Sequence, residues 1–211
     1  ELSLMPPALS DAVIAVIGAN GRSGRVLCYA LLGLGYRVIA VVRNTQTLES
    51  DIARQSYAVR QADLTQQDTL AVALQGANLV INTAHARFLP AILAATAAPV
   101  IALGSTRKFT RWPDAHGMGV MKGEEALQQA GRPSVILHPT MIYGAQGENH
   151  VQRLAALLNK LPYAPLPNGA GFLVQPIHQT AVRCRLVAAV GAMVAGNTKR
   201  PASIVISGSE A

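Results

Sequence analysis

The segment from Val13 to Gly24 constrains this chain more than any other. Val13-Ile14-Ala15-Val16-Ile17 is a continuous, largely β-branched run with no polar alternation, which marks a strand buried on both faces. It runs straight into Gly18-Ala19-Asn20-Gly21-Arg22-Ser23-Gly24, and a stretch of helical length, Ser23 to Leu34, follows. In a strand-GxxGxxG-helix unit the three glycines do different things. One makes the tight turn, one lets the backbone approach a pyrophosphate, and one lets the helix pack close to the strand. The helix start then offers free N–H groups and the positive end of its dipole to phosphates. With 18 glycines in the chain the string alone carries little weight. The strand before it, the helix after it and a second buried strand at Arg37 to Val42 supply the context. Gly18, Asn20, Gly21, Arg22, Ser23 and Gly24 are therefore candidate dinucleotide-binding residues.

The pattern repeats downstream. A helix is expected near Gln46 to Arg54, then strand Ser56 to Gln61, helix Gln66 to Leu74, strand Leu79 to Asn82, helix Phe88 to Ala97 and strand Val100 to Leu103. Helix Gly119 to Ala130 and strand Ser134 to His138 complete the series. Strand-helix alternation of this kind means parallel strands joined by right-handed crossovers: an α/β fold, a doubly wound parallel sheet of Rossmann type with three α/β/α layers. Past Gly144 the pattern loosens into a helix at Asn149 to Lys160, a loop at Pro162 to Gly171, a short strand at Phe172 to Val174, a helix at Gln179 to Val194 and a strand at Ser203 to Ile206. One domain is expected over residues 1–211, with 144–211 an elaboration on the substrate side.

Composition agrees and narrows the classes. A chain of 211 residues, 50% hydrophobic, can bury a large core without disulfides or metals. Its apolar runs break at Gly18 and Gly191, short of the roughly 20 residues a membrane-spanning helix needs. Glu1 to Ser10, with Pro6-Pro7, lacks the basic and apolar regions of a signal peptide, so a cytoplasmic location is expected. Cys28 and Cys184 form neither a CxxC nor a Cys/His cluster; two buried reduced thiols and no metal site are expected. The net charge of +7 is spread along the chain, densest at Arg107, Lys108 and Arg111 beside Trp112. No helix carries a continuous basic face, so a small phosphorylated anion is a better partner for this charge than nucleic acid. At the end of the second strand, where an acidic residue would hold unphosphorylated ribose, stands Arg43. A guanidinium suits a phosphate, which favours NADP(H) over NAD(H); the plainer alternative is a solvated loop cation.

These residues resemble the short-chain dehydrogenase/reductase superfamily, nearest to its atypical and extended branches: NmrA-like sensors and nucleotide-sugar epimerases. The resemblance rests on GxxGxxG, Arg43, Asp63-Leu64, Asn82-Thr83-Ala84, Gly104-Ser105-Thr106, His138-Pro139-Thr140-Met141-Ile142-Tyr143-Gly144 and Gln175-Pro176-Ile177-His178, and spans about Val13 to Ser207. It implies that Asp63 and Leu64 contact the adenine, that Thr83 and Ala84 line the cofactor, and that Pro139, Thr140 and Met141 flank the nicotinamide. It also implies a Tyr-x-x-x-Lys pair, in which lysine holds the ribose and tyrosine exchanges a proton with the substrate. Counting finds no such pair. Four residues after Tyr29, Tyr36, Tyr57, Tyr143 and Tyr163 stand Gly33, Ala40, Gln61, Gly147 and Pro167. Lys122 fits the lysine, and Met118 then falls at the tyrosine position. The catalytic candidates are Ser105, Lys122 and His85, with His116 a further possibility as an imidazole near Met118. Two readings stand at this point: an oxidoreductase acting on a small or sugar-like carbonyl, and a non-catalytic dinucleotide sensor or assembly factor that reports to a protein partner. Epimerase-like chemistry is a third.

Overall fold

The computed structural model describes residues 11–112, 114–144 and 175–208. The expected elements at 149–160, 162–171 and 172–174 lie outside them. Seven parallel strands form one sheet: β1 (Val13–Ile17), β2 (Arg37–Val42), β3 (Ala58–Gln61), β4 (Leu79–Asn82), β5 (Val100–Leu103), β6 (Ser134–Pro139) and, at the edge, β9 (Pro201–Ile206). Their spatial order is β3-β2-β1-β4-β5-β6-β9. Between them in sequence, β7 (Ile142–Tyr143) and β8 (Ile177–His178) form a separate parallel pair. The order reverses between β1 and β4, and such a switch point opens a crevice at the carboxyl ends of the strands.

The helices are α1 (Arg22–Gly33), α2 (Ser50–Gln55), α3 (Gln67–Leu74), α4 (Leu89–Ala95), α5 (Ala115–Ala130) and α6 (Gln179–Val194). Alternation along the strands distributes the core. Ile14 and Val16 pack with Leu27, Leu31 and Ile52 of α1 and α2 and with Val182, Leu186 and Val190 of α6. Ala15 and Ile17 face the other way, onto Leu70 and Leu74 of α3, Leu89 and Ile92 of α4, and Val120 and Leu127 of α5. The sheet is thus covered on both faces, as its uninterrupted apolar strands require. Each fully buried Leu, Ile or Val contributes roughly 1.5–3 kcal/mol.

Several expected boundaries shift for local reasons. The stretch 46–54 is not one helix: the Asn44 side chain accepts from Gln46 N–H and starts a 3₁₀ turn at Thr45–Thr47, and α2 begins only at Ser50. Likewise a 3₁₀ turn at Ala86–Phe88, capped by His85, precedes α4. Helix α5 begins four residues earlier than expected because Asp114 Oδ1 accepts from Gly117 N–H at 2.7 Å, an N-cap. Cys28 is buried and its thiol is pushed up to about 12, whereas Cys184 is exposed on α6, so only one of the two thiols is in the core. Two cations also have structural duties. Arg60 Nη1 donates to the carbonyls of Ala73 (3.0 Å) and Gln75 (2.6 Å) at the end of α3. Arg132 donates to those of Leu93 and Thr96 at the end of α4. Both close carbonyls that a helix terminus leaves open.

Candidate functional site

The glycine turn is built by close approach. Gly18 has φ +79°, and a Cβ there would sit 2.9 Å from Thr83 Oγ1. At Gly24 a Cβ would collide with the Gly18 carbonyl oxygen and lie 2.7 Å from the same hydroxyl. Thr83 Oγ1 in turn donates to the Ile17 carbonyl at 2.8 Å, so the end of β4 holds the end of β1. Asn82, fully buried, accepts from Ala84 N–H at 3.1 Å and fixes the next turn. Gly21, the N-cap of α1, offers no side-chain cap, and the first turn carries no acid. Its N–H groups are therefore available to an anion.

A cleft of about 730 Å³ opens beside this turn. Of the expected residues, Gly18, Asn20, Gly21, Arg43, Asp63, Leu64 and Ala84 line it. Gly24 and Thr83 lie beneath, buttressing the turn. Asn20 Nδ2 donates to Thr47 Oγ1 at 2.9 Å and ties the turn to the segment after β2. Asp63 Oδ1 accepts from the Thr65 hydroxyl (2.7 Å) and amide (2.9 Å); these bonds first, and the Arg43 charge last, hold its carboxyl below the usual range. Arg43 makes no ion pair among the described residues. Arg22 points elsewhere, into a separate cavity of about 360 Å³ shared with Arg25 and His178.

Beyond the cleft, the ends of β5 and β6 carry a different arrangement. His138 is fully buried, and its Nδ1 accepts from Ser105 N–H at 3.2 Å. Lys108 Nζ reaches Glu124 Oε2 at 2.6 Å, His138 Nε2 at 3.2 Å and Ser203 Oγ at 3.4 Å. Burial, reinforced by the Lys108 charge, holds His138 below its ordinary value. Burial opposes ionisation of Glu124, but bonds from Lys108 and Ser203 outweigh it and keep the carboxyl below the usual range. Ser105 Oγ accepts from Arg107 N–H, and Thr106 Oγ1 donates to the Pro139 carbonyl. Pro139 is buried, Thr140 Oγ1 donates to the Gln175 carbonyl at 2.6 Å, and Met141 is exposed. Lys122 and Met118 both lie on the exposed side of α5, away from buried Val120 and Gly123. His85 follows Ala84 and meets the ring of His116. Among the described residues no group of three or more His, Cys, Asp and Glu could hold a metal.

A strand-glycine-helix turn at a switch point, beside a cleft with cationic walls, is the geometry of dinucleotide recognition. The sequence model of the NAD(P)H-binding family matches residues 18–154. The chain belongs to the NAD(P)H-binding family. No curated protein matches the sequence. Solved structures share the fold at low identity. A short-chain dehydrogenase/reductase from Veillonella parvula in complex with NADP is 18% identical with TM-score 0.71, covering 93% of this chain and 94% of that one. Triphenylmethane reductase from Citrobacter sp. is 18% identical with TM-score 0.72, covering 94% and 70%. UDP-glucose 4-epimerase from Brucella ovis in complex with NAD is 14% identical with TM-score 0.72, covering 93% and 77%. The doubly wound parallel fold expected from the strand-helix alternation, and a dinucleotide-binding family, are thereby borne out.

For a member of this NAD(P)H-binding family the sequence left part of the cleft unread. Asn44, Thr47 and Thr65 line it, as do Arg87 and Phe88, with the Arg87 guanidinium 4.7 Å from the Phe88 ring centroid. Asn44 was within reach, since it adjoins Arg43 at the end of β2. Arg87 was not, because its place depends on a 3₁₀ turn that the periodicity conceals. No helix among the described residues is long and apolar enough to cross a membrane.

Proposed function

We propose that the protein binds NADP(H) and acts as an oxidoreductase that transfers a hydride to a small or sugar-like carbonyl. The observation that carries the cofactor choice is Arg43, at the end of β2, lining the cleft without an ion pair among the described residues. Arg87 lines the same cleft, so two guanidinium groups are available to a 2′-phosphate. In this reading the first-turn amides at Arg22, Ser23 and Gly24 hold the pyrophosphate, with Gly18 and Gly21 giving it room, the Gly21 N–H closing the turn on the Gly18 carbonyl, and Asn20 fixing the turn. Asp63 and Leu64 hold the adenine; Thr83, Ala84, Lys122, Pro139, Thr140 and Met141 serve the nicotinamide half. Ser105, at the end of β5, polarises the carbonyl, and His85 stands near the reacting end. The bound dinucleotide supplies the hydride.

A second reading, a sensor that binds the nucleotide without turnover and reports to a protein partner, is favoured by Met118, which stands where the tyrosine is expected and is exposed. Titration with NADPH and NADH, followed by nucleotide fluorescence, separates the cofactors. NADPH is expected to bind about tenfold or more tightly than NADH, about 1.4 kcal/mol, and Arg43→Asp to erase or invert the preference. Equal affinities in both proteins would overturn the NADP(H) assignment. A carbonyl panel then decides between reductase and sensor: tight binding with no turnover leaves the sensor.

A further inference from the structure

His85 and His116 come from different elements, the turn after β4 and the first turn of α5, and their rings meet edge to face with centroids 4.3 Å apart. His85 Nε2 lies 3.1 Å from His116 Nδ1. The approach depends on Gly119, where a Cβ would stand 2.9 Å from His85 Cε1. The pair adjoins the cleft, because Ala84 and Arg87, on either side of His85 in the chain, both line it.

We propose that His116, backed by His85, is the acid that protonates the carbonyl oxygen as the hydride arrives, the role that falls to tyrosine in relatives carrying Tyr-x-x-x-Lys. This deepens the reductase reading and rests on it. The hydrogen bonds set the direction. Arg87 N–H donates to His85 Nδ1 at 3.0 Å, so that nitrogen carries a lone pair and the neutral ring has its proton on Nε2. That proton is donated to His116 Nδ1, which leaves the proton of His116 on Nε2, directed away from His85 and unpartnered among the described residues.

With the bond between the rings kept, a third proton enters this pair only if His85 Nδ1 becomes protonated and the bond from Arg87 is broken. The loaded pair lacks the Arg87 bond, which returns only once His85 Nδ1 is deprotonated again, so it is a strong donor. The charges around it agree. Arg87, on the same turn, opposes the cation, while Asp114, at the start of α5, favours it but is already held by Arg107 and by Gly117 N–H. Burial first, then the neighbouring charges, hold His85 below its ordinary value. The same tautomer argues against a shared metal ion, which would need lone pairs on both facing nitrogens and leave His85 Nδ1 unable to accept from Arg87.

In the step itself, a C–H bond forms at the carbonyl carbon and the C=O π pair moves to oxygen. The His116 Nε2–H bond breaks, its electrons stay on the imidazole, and an O–H bond forms. The carbonyl is reduced, the dinucleotide is oxidised, and the shared proton passes to His116 Nδ1; exchange with solvent, one proton off His85 Nδ1 and one onto His116 Nε2, then restores the resting tautomers and the Arg87 bond, and a further solvent proton reloads the pair.

The test has two arms on the full chain. In ¹⁵N-histidine NMR of the wild type at neutral pH, His85 is expected as the Nε2–H tautomer coupled to His116; an Nδ1–H tautomer of His85 overturns the proposal without any substrate. In the kinetic arm, with NADPH and 9,10-phenanthrenequinone, isatin and glyceraldehyde as probes, His116→Ala and His116→Gln are expected to lower kcat about 100-fold. KM and NADPH affinity should stay within about twofold, a split that a merely structural role would not give. Wild-type kcat should fall as pH rises through the midpoint at which NMR sees the third proton leave, and His85→Asn should move both midpoints together. Unchanged kcat in both His116 variants overturns the acid role alone. Tight NADPH binding with no wild-type turnover of any probe overturns the reductase reading, and the acid role with it.

Discussion

The carboxyl ends of β1, β2 and β4 and those of β5, β6 and β9 belong to one sheet, yet they are finished in opposite ways. At the first group the backbone dominates: three glycines, an uncapped helix start and one threonine hydroxyl leave a cleft of about 730 Å³ open. At the second, side chains fill the space. Lys108, Glu124, His138 and Ser203 form a polar network with its cation and carboxylate only 11% and 14% exposed. The end at β1, β2 and β4 is thus shaped by what is missing, and the end at β5, β6 and β9 is fixed by what is present. A glycine turn tolerates nothing added, whereas a buried charge network tolerates nothing removed.

The largest effect should come from breaking the network on one side only. Lys108→Met leaves the Glu124 carboxylate buried without its cation, and a loss of roughly 3 kcal/mol is expected in denaturant unfolding. Lys108→Met combined with Glu124→Leu should recover much of it; a double variant as unstable as the single would show that the network is not charge-driven. At the other end, Gly24→Ala puts a methyl group against the Gly18 carbonyl and the Thr83 hydroxyl. It should cost roughly 1–3 kcal/mol and weaken NADPH binding at the same time, since the turn itself must move. Retained affinity would mean that the close approach is not needed by the ligand.

The smallest effect separates the halves by pH. His138 is held below its ordinary value of 6.5, so the fold favours its neutral form. The stability this gives is complete above that value and is lost as pH falls from 6.5 towards the lowered one. Melting temperature should drop between pH 7 and 5, and His138→Gln should flatten part of that slope. An unchanged slope in His138→Gln would place the acid sensitivity elsewhere, with His85 next in line because its shift has the same sign.

How much could be read in advance follows the same division. Strands β1 to β6 and the phosphate turn were legible because an apolar run buried on both faces and a glycine at a close approach are local requirements, written in consecutive residues. Arg43 and Asp63 were legible because they stand at the ends of strands. Thr83 was found, but its hydroxyl holds the Ile17 carbonyl of the neighbouring strand. Lys122 was chosen by spacing, which does not say which side of α5 faces solvent; that is set by Gly117, Val120, Gly123 and Leu127 packing inward.

The alternation of elements, the parallel sheet and the place of the pyrophosphate turn were written in the residue order, since they depend on periodicity and on backbone freedom within a few residues. Only the assembled sheet brings Lys108, Glu124, His138 and Ser203 together, puts Arg87 in the cleft that Arg43 lines, and brings His85 within hydrogen-bond distance of His116. Those partners are separated by up to 95 positions. A hydrogen bond is specific only over about 3 Å, and no local pattern carries that distance until the strands are laid side by side.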